Sequence, residues 1–389
     1  MLGMTYLILM KKMAKYFLMI FLWLLLPLVT VEIAMTVLEP YLFKGFYQYD
    51  PEMGFRVRSY VSTADGNLTN RFGFNDIDYP LQRSADIFRV LAVGDSFNWV
   101  GRREEIYPAL LRRKLAEHCG AHKIEVINAG YLMTHTGDQL AMLKKYGLQY
   151  NPDLVLLGFF VGNDFIDADP NRKRIVVNDI YMDIDKRNEL IVLGYPIIAK
   201  SRLLLFIEQK YKIISELRKA KAELRKIKPR SEREEREGSL SEETFLNIER
   251  NRLEFFNLDA SREGRFQENI YYIFRSISEM DAILKSRNTK FIVAMFPDEF
   301  QVNETLLNTI FAQFNLKKED YDLELAQSLL KEFLKSKGIP FIDFLDKFRT
   351  EGQRQELYLL RNTHWNNLGN QLAADILFED LARSRMVPC

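Results

Sequence analysis

The chain has 389 residues, 47% of them hydrophobic, long enough to bury one large core or two modest ones. Its 54 basic and 53 acidic side chains nearly cancel, which argues against a nucleic-acid partner or strongly acidic substrates. Two cysteines, Cys119 and Cys389, are too few for a disulfide framework; with four histidines and no Cys/His cluster, neither a metal site nor a cofactor is expected.

At the N-terminus, Lys11, Lys12 and Lys15 precede the apolar run YFLMIFLWLLLPLVTV at 16–31. The run continues past a lone Glu32 to Leu38, which is long enough to span a bilayer. Lysines ahead of it and few behind it place residues 1–15 in the cytoplasm and the bulk outside, periplasmic or extracellular. A cleaved signal peptide is one rival reading, although no convincing small-x-small site follows; a buried soluble helix is the other. The expectation is an uncleaved, single-pass anchor over 16–38.

Residues 40–86 read as a polar apron rich in Gly and Asp, containing YDPEMGFR and NLTNRFGFND. Five short apolar runs follow: FRVLAV (88–93), IEVIN (124–128), LVLLGFF (154–160), FIVAMF (291–296) and IPFID (339–343). Helical patterns such as IYPALLRRKLAEHC and LELAQSLLKEFLKSKG separate them. Near-continuous apolar strands alternating with helices predict a doubly wound α/β domain, its parallel sheet covered on both faces. Between the third and fourth strands lies an insertion, expected at about 166–285, longer than a plain crossover. It opens with a hairpin-like piece, RIVVNDIYMDIDKRNELIVLG. A helix over 201–228 follows, with Ile213, Leu217, Ala220, Leu224 and Ile227 at heptad spacing. It reads as a solvated amphipathic helix, or as a lid, a dimer contact or a basic face toward anionic lipid. The run KPRSEREEREGSLSEE reads as a mobile charged linker.

Ligands of doubly wound sheets bind beyond the carboxyl ends of the strands, so the chemistry is sought there. After the first strand comes GDSF, Gly94 to Phe97, with Ser96 in a sharp turn before a helix. A serine there has an exposed hydroxyl and amides that favour developing negative charge, although a plain helix N-cap has the same local pattern. After the second comes NAGYLMTHTGDQ, a polar loop rich in backbone amides; after the third comes VGNDF, where Asn163 is either an amide donor or a turn residue. Beyond the fifth lies NTHWNNLG with His364, followed by the helical stretch NQLAADILFEDLAR. His118, His122 and His135 read as loop or solvated histidines, and Trp365 as packing.

In these blocks the chain resembles the SGNH (GDSL-type) hydrolase family. GDSF resembles its nucleophile block, the Gly130 region its second, GND its third, and THWNNLG its histidine block. The preamble NRFGFND…FRVLAVGDSF, the segment FPDEFQV and the THWN ending are similar in particular to membrane-anchored bacterial members, over roughly 48–385. The resemblance implies a three-layer α/β/α, flavodoxin-like SGNH fold over 87–385 with a five-stranded parallel sheet. It implies Ser96 as nucleophile and His364 as general base. It places the oxyanion donors at the Ser96 amide, the second block (Gly130, Met133) and the Asn163 side chain.

Two residues depart from the family pattern. Met133 stands where many members have a glycine, and Asn362 stands where the D-T-H-W-N pattern has aspartate. An asparagine orients His364 through its oxygen or selects the wrong tautomer through its amine; the comparable Asp→Asn change in a serine protease costs about 10⁴-fold in turnover. Asp343, Asp164 and Asp138 are the candidate substitute acids. The resemblance implies an esterase or O-acyltransferase acting on short acyl, above all acetyl, esters of cell-envelope glycans, working beside a polytopic membrane acyltransferase. The rivals are a lipid-directed esterase or lysophospholipase, and a catalytically silent domain that binds glycan or scaffolds an envelope complex.

Overall fold

The computed structural model describes the chain apart from residues 1, 43–44, 51, 64, 120–123, 178–179, 186–190, 193–194, 197–200, 224–230, 234–236 and 389. It divides into two compact units, one of Met1–Phe55 with Asn171–Ile227, the other of Arg56–Pro170 with Lys228–Cys389.

The first unit is built on α1, Leu2–Leu42, one helix that runs beyond both ends of the expected 16–38 segment. Within it Met10–Leu38 is long and apolar enough to cross a membrane, and none of that stretch is buried against protein. The hairpin-like piece forms an antiparallel pair, Arg172–Val177 with Ile180–Asp185. Helix Arg202–Glu223 follows. Of its heptad positions Ile213 is half-buried, whereas Leu224 and Ile227 lie outside the described residues, as do the side chains of Leu217 and Ala220.

The second unit holds the sheet. Its strands are β1 (Phe88–Gly94), β2 (Ile124–Gly130), β3 (Leu154–Phe160), β4 (Lys290–Phe296) and β5 (Phe341–Asp343), in spatial order β5-β4-β3-β1-β2. Every neighbouring pair is parallel. The apolar runs become strands because both faces of each are covered: all seven residues of β3 are buried. On one face Val90, Ala92, Leu156 and Ala294 pack against Leu111 and Leu115 of α2 (Tyr107–Cys119) and against Ala373 and Leu377 of the last helix, Asn367–Arg383. The other face is covered by α3 (Thr136–Lys145) and the long helix Gly264–Ser286, which bury Leu143, Ile273 and Ile277.

The insertion is therefore shorter than the expected 166–285. Gly264–Ser286 is the crossover helix into β4, and only Asn171–Ile227 leaves the second unit. The apron is also divided. Its 56–86 portion belongs with the sheet, where Asp76 Oδ2 accepts from the Asn128 N–H at 2.7 Å and Asp76 Oδ1 meets Arg112 at 3.1 Å. This ties the FND segment to the end of β2. Cys119, at the end of α2, is disulfide-bonded, and Cys389 lies outside the described residues.

Candidate active site

β1 ends at Gly94 in register with Gly130 of β2, so the first two loops leave the sheet side by side. The Asp95 side chain accepts from the Phe97 N–H at 2.9 Å and starts the tight turn Ser96–Asn98. Ser96 opens that turn half-buried, reachable from solvent. The turn is held from below by Asn98, whose Nδ2 donates to the Ala92 carbonyl and to Asn128 Oδ1, each at 3.1 Å. Its Oδ1 accepts from the Tyr107 hydroxyl at 2.8 Å. Gly130 is required by this network. A Cβ there would lie 2.1 Å from that of Asn98, and the Gly130 N–H already donates to Asn128 Oδ1 at 3.2 Å. That amide is thus engaged away from Ser96.

His364 comes to Ser96 from the far end of the sequence. Tyr358 and Trp365 form an antiparallel bridge, and the Leu359 N–H donates to the His364 carbonyl at 2.8 Å. Between them the chain turns through Arg361 and Thr363, both left-handed at φ 48° and 68°. For a β-branched threonine that conformation is costly and needs outside support. The imidazole ring packs on Phe97, ring centroids 5.2 Å apart, and Trp365 packs on Phe97 and Phe296 beneath it. His364 Nε2 then lies 2.8 Å from Ser96 Oγ.

The other nitrogen, Nδ1, lies 2.9 Å from the Asn362 side-chain oxygen and 2.9 Å from the Asn362 backbone carbonyl. Both are acceptors, provided the Asn362 amide is oriented as it stands. Its NH₂ group fixes that orientation by donating to the backbone carbonyls of Glu237 and, at 3.4 Å, of Gly238. With the amine committed to two carbonyls, the oxygen faces Nδ1. Nδ1 therefore carries the proton, and Nε2 is free to accept from Ser96. The wrong-tautomer hazard raised by the sequence is removed by two residues more than a hundred positions away.

Those two residues belong to the run expected to be a mobile linker. Its described part is instead bonded to the histidine loop: Glu237 Oε2 accepts from the Leu360 N–H at 2.7 Å, and the Leu240 N–H donates to the Arg361 carbonyl at 3.1 Å. Ser241 then caps helix Glu242–Leu253. From that helix the buried Glu249 accepts the Thr363 hydroxyl at 3.0 Å, anchoring the strained residue next to His364.

A buried charge cluster continues from Glu249. Arg252 Nη1 lies 2.8 Å from Glu249 and 3.8 Å from Asp298, with its guanidinium over the Phe160 ring. Gly162 of the GND block is required here, because a Cβ would lie 1.9 Å from Asp298 Oδ2. Burial, with Glu249 beside it, pushes the Asp298 carboxyl well above the ordinary range. Burial also raises Asp95 to about 7. Burial and the Arg252 charge lower His364 to about 4, so its imidazole is neutral at physiological pH.

The remaining candidates are placed as follows. Asn163 lies just beyond β3, with one N–H of its amide donating to Asp167 at 3.0 Å and a second in hand. Met133 adopts φ 57°, the left-handed conformation that glycine takes freely. None of the three substitute acids accepts from His364: Asp343 pairs with Lys331, Asp164 accepts from the Phe160 N–H, and Asp138 sits in the capping box that His135 makes on α3. His118 packs edge-on against Phe378, and His122 lies outside the described residues. Among the described residues no group of three His, Cys, Asp or Glu side chains is placed to hold a metal ion. Glu237, Gly238, Glu249 and Arg252 were not legible as site residues. The one available signal was SEETFLNIERNRL, a capped helix with apolar Phe245, Leu246 and Leu253.

Residues 256–388 match the family model described as the SGNH hydrolase-like domain of the acetyltransferase AlgX, a span that holds β4, β5 and the histidine loop. No curated protein matches the chain. Among solved structures, the acetyl xylan esterase AlAXEase is 13% identical, covers 76% of this chain and 100% of its own, and has a TM-score of 0.42. A lipase/acylhydrolase from Enterococcus faecalis is 12% identical over 77% of this chain and 97% of its own, at a TM-score of 0.39. An acetylxylan esterase, Axe2, from Geobacillus stearothermophilus is 12% identical over 76% and 94%, at 0.40. At these scores the structural likenesses carry no weight for activity. The chain thus combines a five-stranded parallel sheet with a C-terminal region, residues 256–388, that matches an SGNH hydrolase-like domain.

Proposed function

We propose that this protein is a membrane-anchored, extracytoplasmic serine esterase or O-acyltransferase that acts on short acyl esters, chiefly acetyl, of cell-envelope glycans. The observation that carries the reading is the unbroken chain from Ser96 Oγ to His364 Nε2 and from Nδ1 to Asn362 Oδ1, at 2.8 and 2.9 Å. In the first half-reaction Ser96 Oγ bonds to the ester carbonyl carbon while its proton passes to Nε2. The oxyanion is received by the Ser96 and Met133 amides and the spare N–H of Asn163. His364 then returns the proton to the leaving alcohol as the C–O bond breaks, leaving acyl-Ser96. Water or an acceptor hydroxyl, deprotonated by His364, removes the acyl group. Hydrolysis and transfer differ only in that acceptor.

The acetyl preference is supported by the match to an acetyltransferase domain. Anchoring and an outward location are supported by the unburied apolar stretch Met10–Leu38 and by the disulfide at Cys119, which suits an oxidising compartment. A polytopic membrane acyltransferase that supplies the acyl group is part of the proposal. The reading is tested with the full chain in detergent, assaying acetyl release from an aryl acetate and from an acetylated glycan. Wild type turns over both and Ser96→Ala neither; equal rates for the two proteins would remove the proposal.

A further inference from the structure

Glu32 is the single carboxylate in the apolar stretch Met10–Leu38. Its partners lie about 170 positions away. Glu32 Oε1 accepts from the Arg202 N–H at 2.6 Å, and Oε2 accepts from the Leu203 N–H at 3.0 Å and from the Ser201 hydroxyl at 2.8 Å. These are the first free amides of helix Arg202–Glu223, labelled α4; Glu32 of α1 thus shares the N-terminal cap with Ser201, whose hydroxyl oxygen accepts from the Leu204 N–H at 3.2 Å. A carboxylate is costly in the hydrocarbon layer, and about twenty apolar residues fill that layer. Tyr16–Val31 is sixteen residues, about 24 Å of helix, which fills most of that layer and brings Glu32 and the start of α4 close to its surface.

The outward side of α4 has an unusual composition. Leu205 and Gln209 are buried, whereas Leu204, Ile207, Tyr211 and Ile214 are 37%, 53%, 74% and 50% exposed. At 3.6 residues per turn those four lie within a stripe about 80° wide, roughly opposite the buried pair. A surface helix in water carries polar residues on that side. Lys210 flanks the stripe, its ammonium over the Phe206 ring. An apolar outer stripe with a basic flank, on a helix whose first turn is bonded to a spanning segment, is the pattern of a helix lying in a membrane interface.

We propose that α4 is an interfacial helix, its Leu204, Ile207, Tyr211 and Ile214 stripe resting in the outer leaflet beside α1. The inference rests on the reading of α1 as a membrane anchor. It gives the protein two membrane contacts, with Glu32 as the joint.

The test uses the full chain in phosphatidylcholine vesicles with its disulfide intact. Nitroxide labels are placed at Ile207→Cys and Tyr211→Cys, at Leu22→Cys in α1 and at the exposed Asp259→Cys. Collision with oxygen is compared with collision with a water-soluble nickel chelate. The expected result is an oxygen-to-nickel ratio at 207 and 211 several-fold above that at 259 and approaching that at 22. A ratio at 207 and 211 equal to that at 259, with 22 still lipid-like, overturns the inference and leaves the anchor standing. Labels at 207 and 211 shielded from both reagents overturn it in favour of a protein contact. A water-like label at 22 overturns anchor and interfacial helix together.

Discussion

Asn362→Asp separates two accounts of the site. If Asn362 is a degraded aspartate, restoring the acid should recover up to about 10⁴-fold in turnover, roughly 5.4 kcal/mol of barrier. The structure argues otherwise. Most of the serine-protease penalty comes from the wrong histidine tautomer, and the carbonyls of Glu237 and Gly238 already prevent that here. An aspartate would turn its second oxygen toward those two carbonyls with no proton to offer. Two lost hydrogen bonds and two carbonyls left unpaired cost roughly 2–4 kcal/mol. The expected result is a lower thermal midpoint and a change in kcat within about tenfold of wild type. The new carboxylate would also raise the His364 pKa from about 4, so activity would be lost at a higher pH than in wild type. Kinetics from pH 4 to 8 with a melting curve decide it. A gain of about 10³-fold or more with an unchanged midpoint would refute the reasoning.

In wild type, His364 must be neutral to accept the Ser96 proton, so the acid limb of kcat/KM should lie well below the ordinary 6.5, with activity lost as pH falls through about 4. A limb at 6.5 would show that Arg252 and burial do not act on the ring. Glu249→Ala breaks the Arg252 pair and frees Thr363, and should cost about 3–5 kcal/mol in urea unfolding and lower kcat more than it changes KM. Glu249→Gln keeps the acceptor for Thr363 and should retain most of kcat; equal loss in both variants would count against the anchoring role. Met133→Gly relieves a left-handed side chain at φ 57° and should raise stability by up to about 1 kcal/mol with turnover kept. Clear destabilisation would mean that the Met133 side chain is needed for packing.

The sheet was legible because its strands are short, apolar throughout and bounded by turns. LVLLGFF coincides with β3, and FRVLAV with all but the last residue of β1. That Ser96 and His364 come together at one edge of the sheet could be expected because both lie in loops beyond the carboxyl ends of its strands. The insertion was read as too long because Gly264–Ser286 has the same helical pattern whether it crosses over the sheet or stands outside it. The strap at 237–241 was missed for a different reason. A charge run carries no periodicity, and nothing local in EREEREGSL tells that Glu237 meets Leu360 or that a backbone carbonyl meets Asn362. The orientation of one amide depends on residues 125 positions apart, which local pattern does not encode.

The central claim is that Ser96 takes the acyl group. It is tested most directly by mixing the full chain with an activated acetyl ester, quenching in acid and mapping the modified peptide by mass spectrometry. The account predicts one acetyl group on Ser96 in wild type, far less in His364→Ala, which lacks the base that takes the Ser96 proton, and none in Ser96→Ala. Acetyl groups found only on surface lysines, equally in wild type and Ser96→Ala, would contradict it.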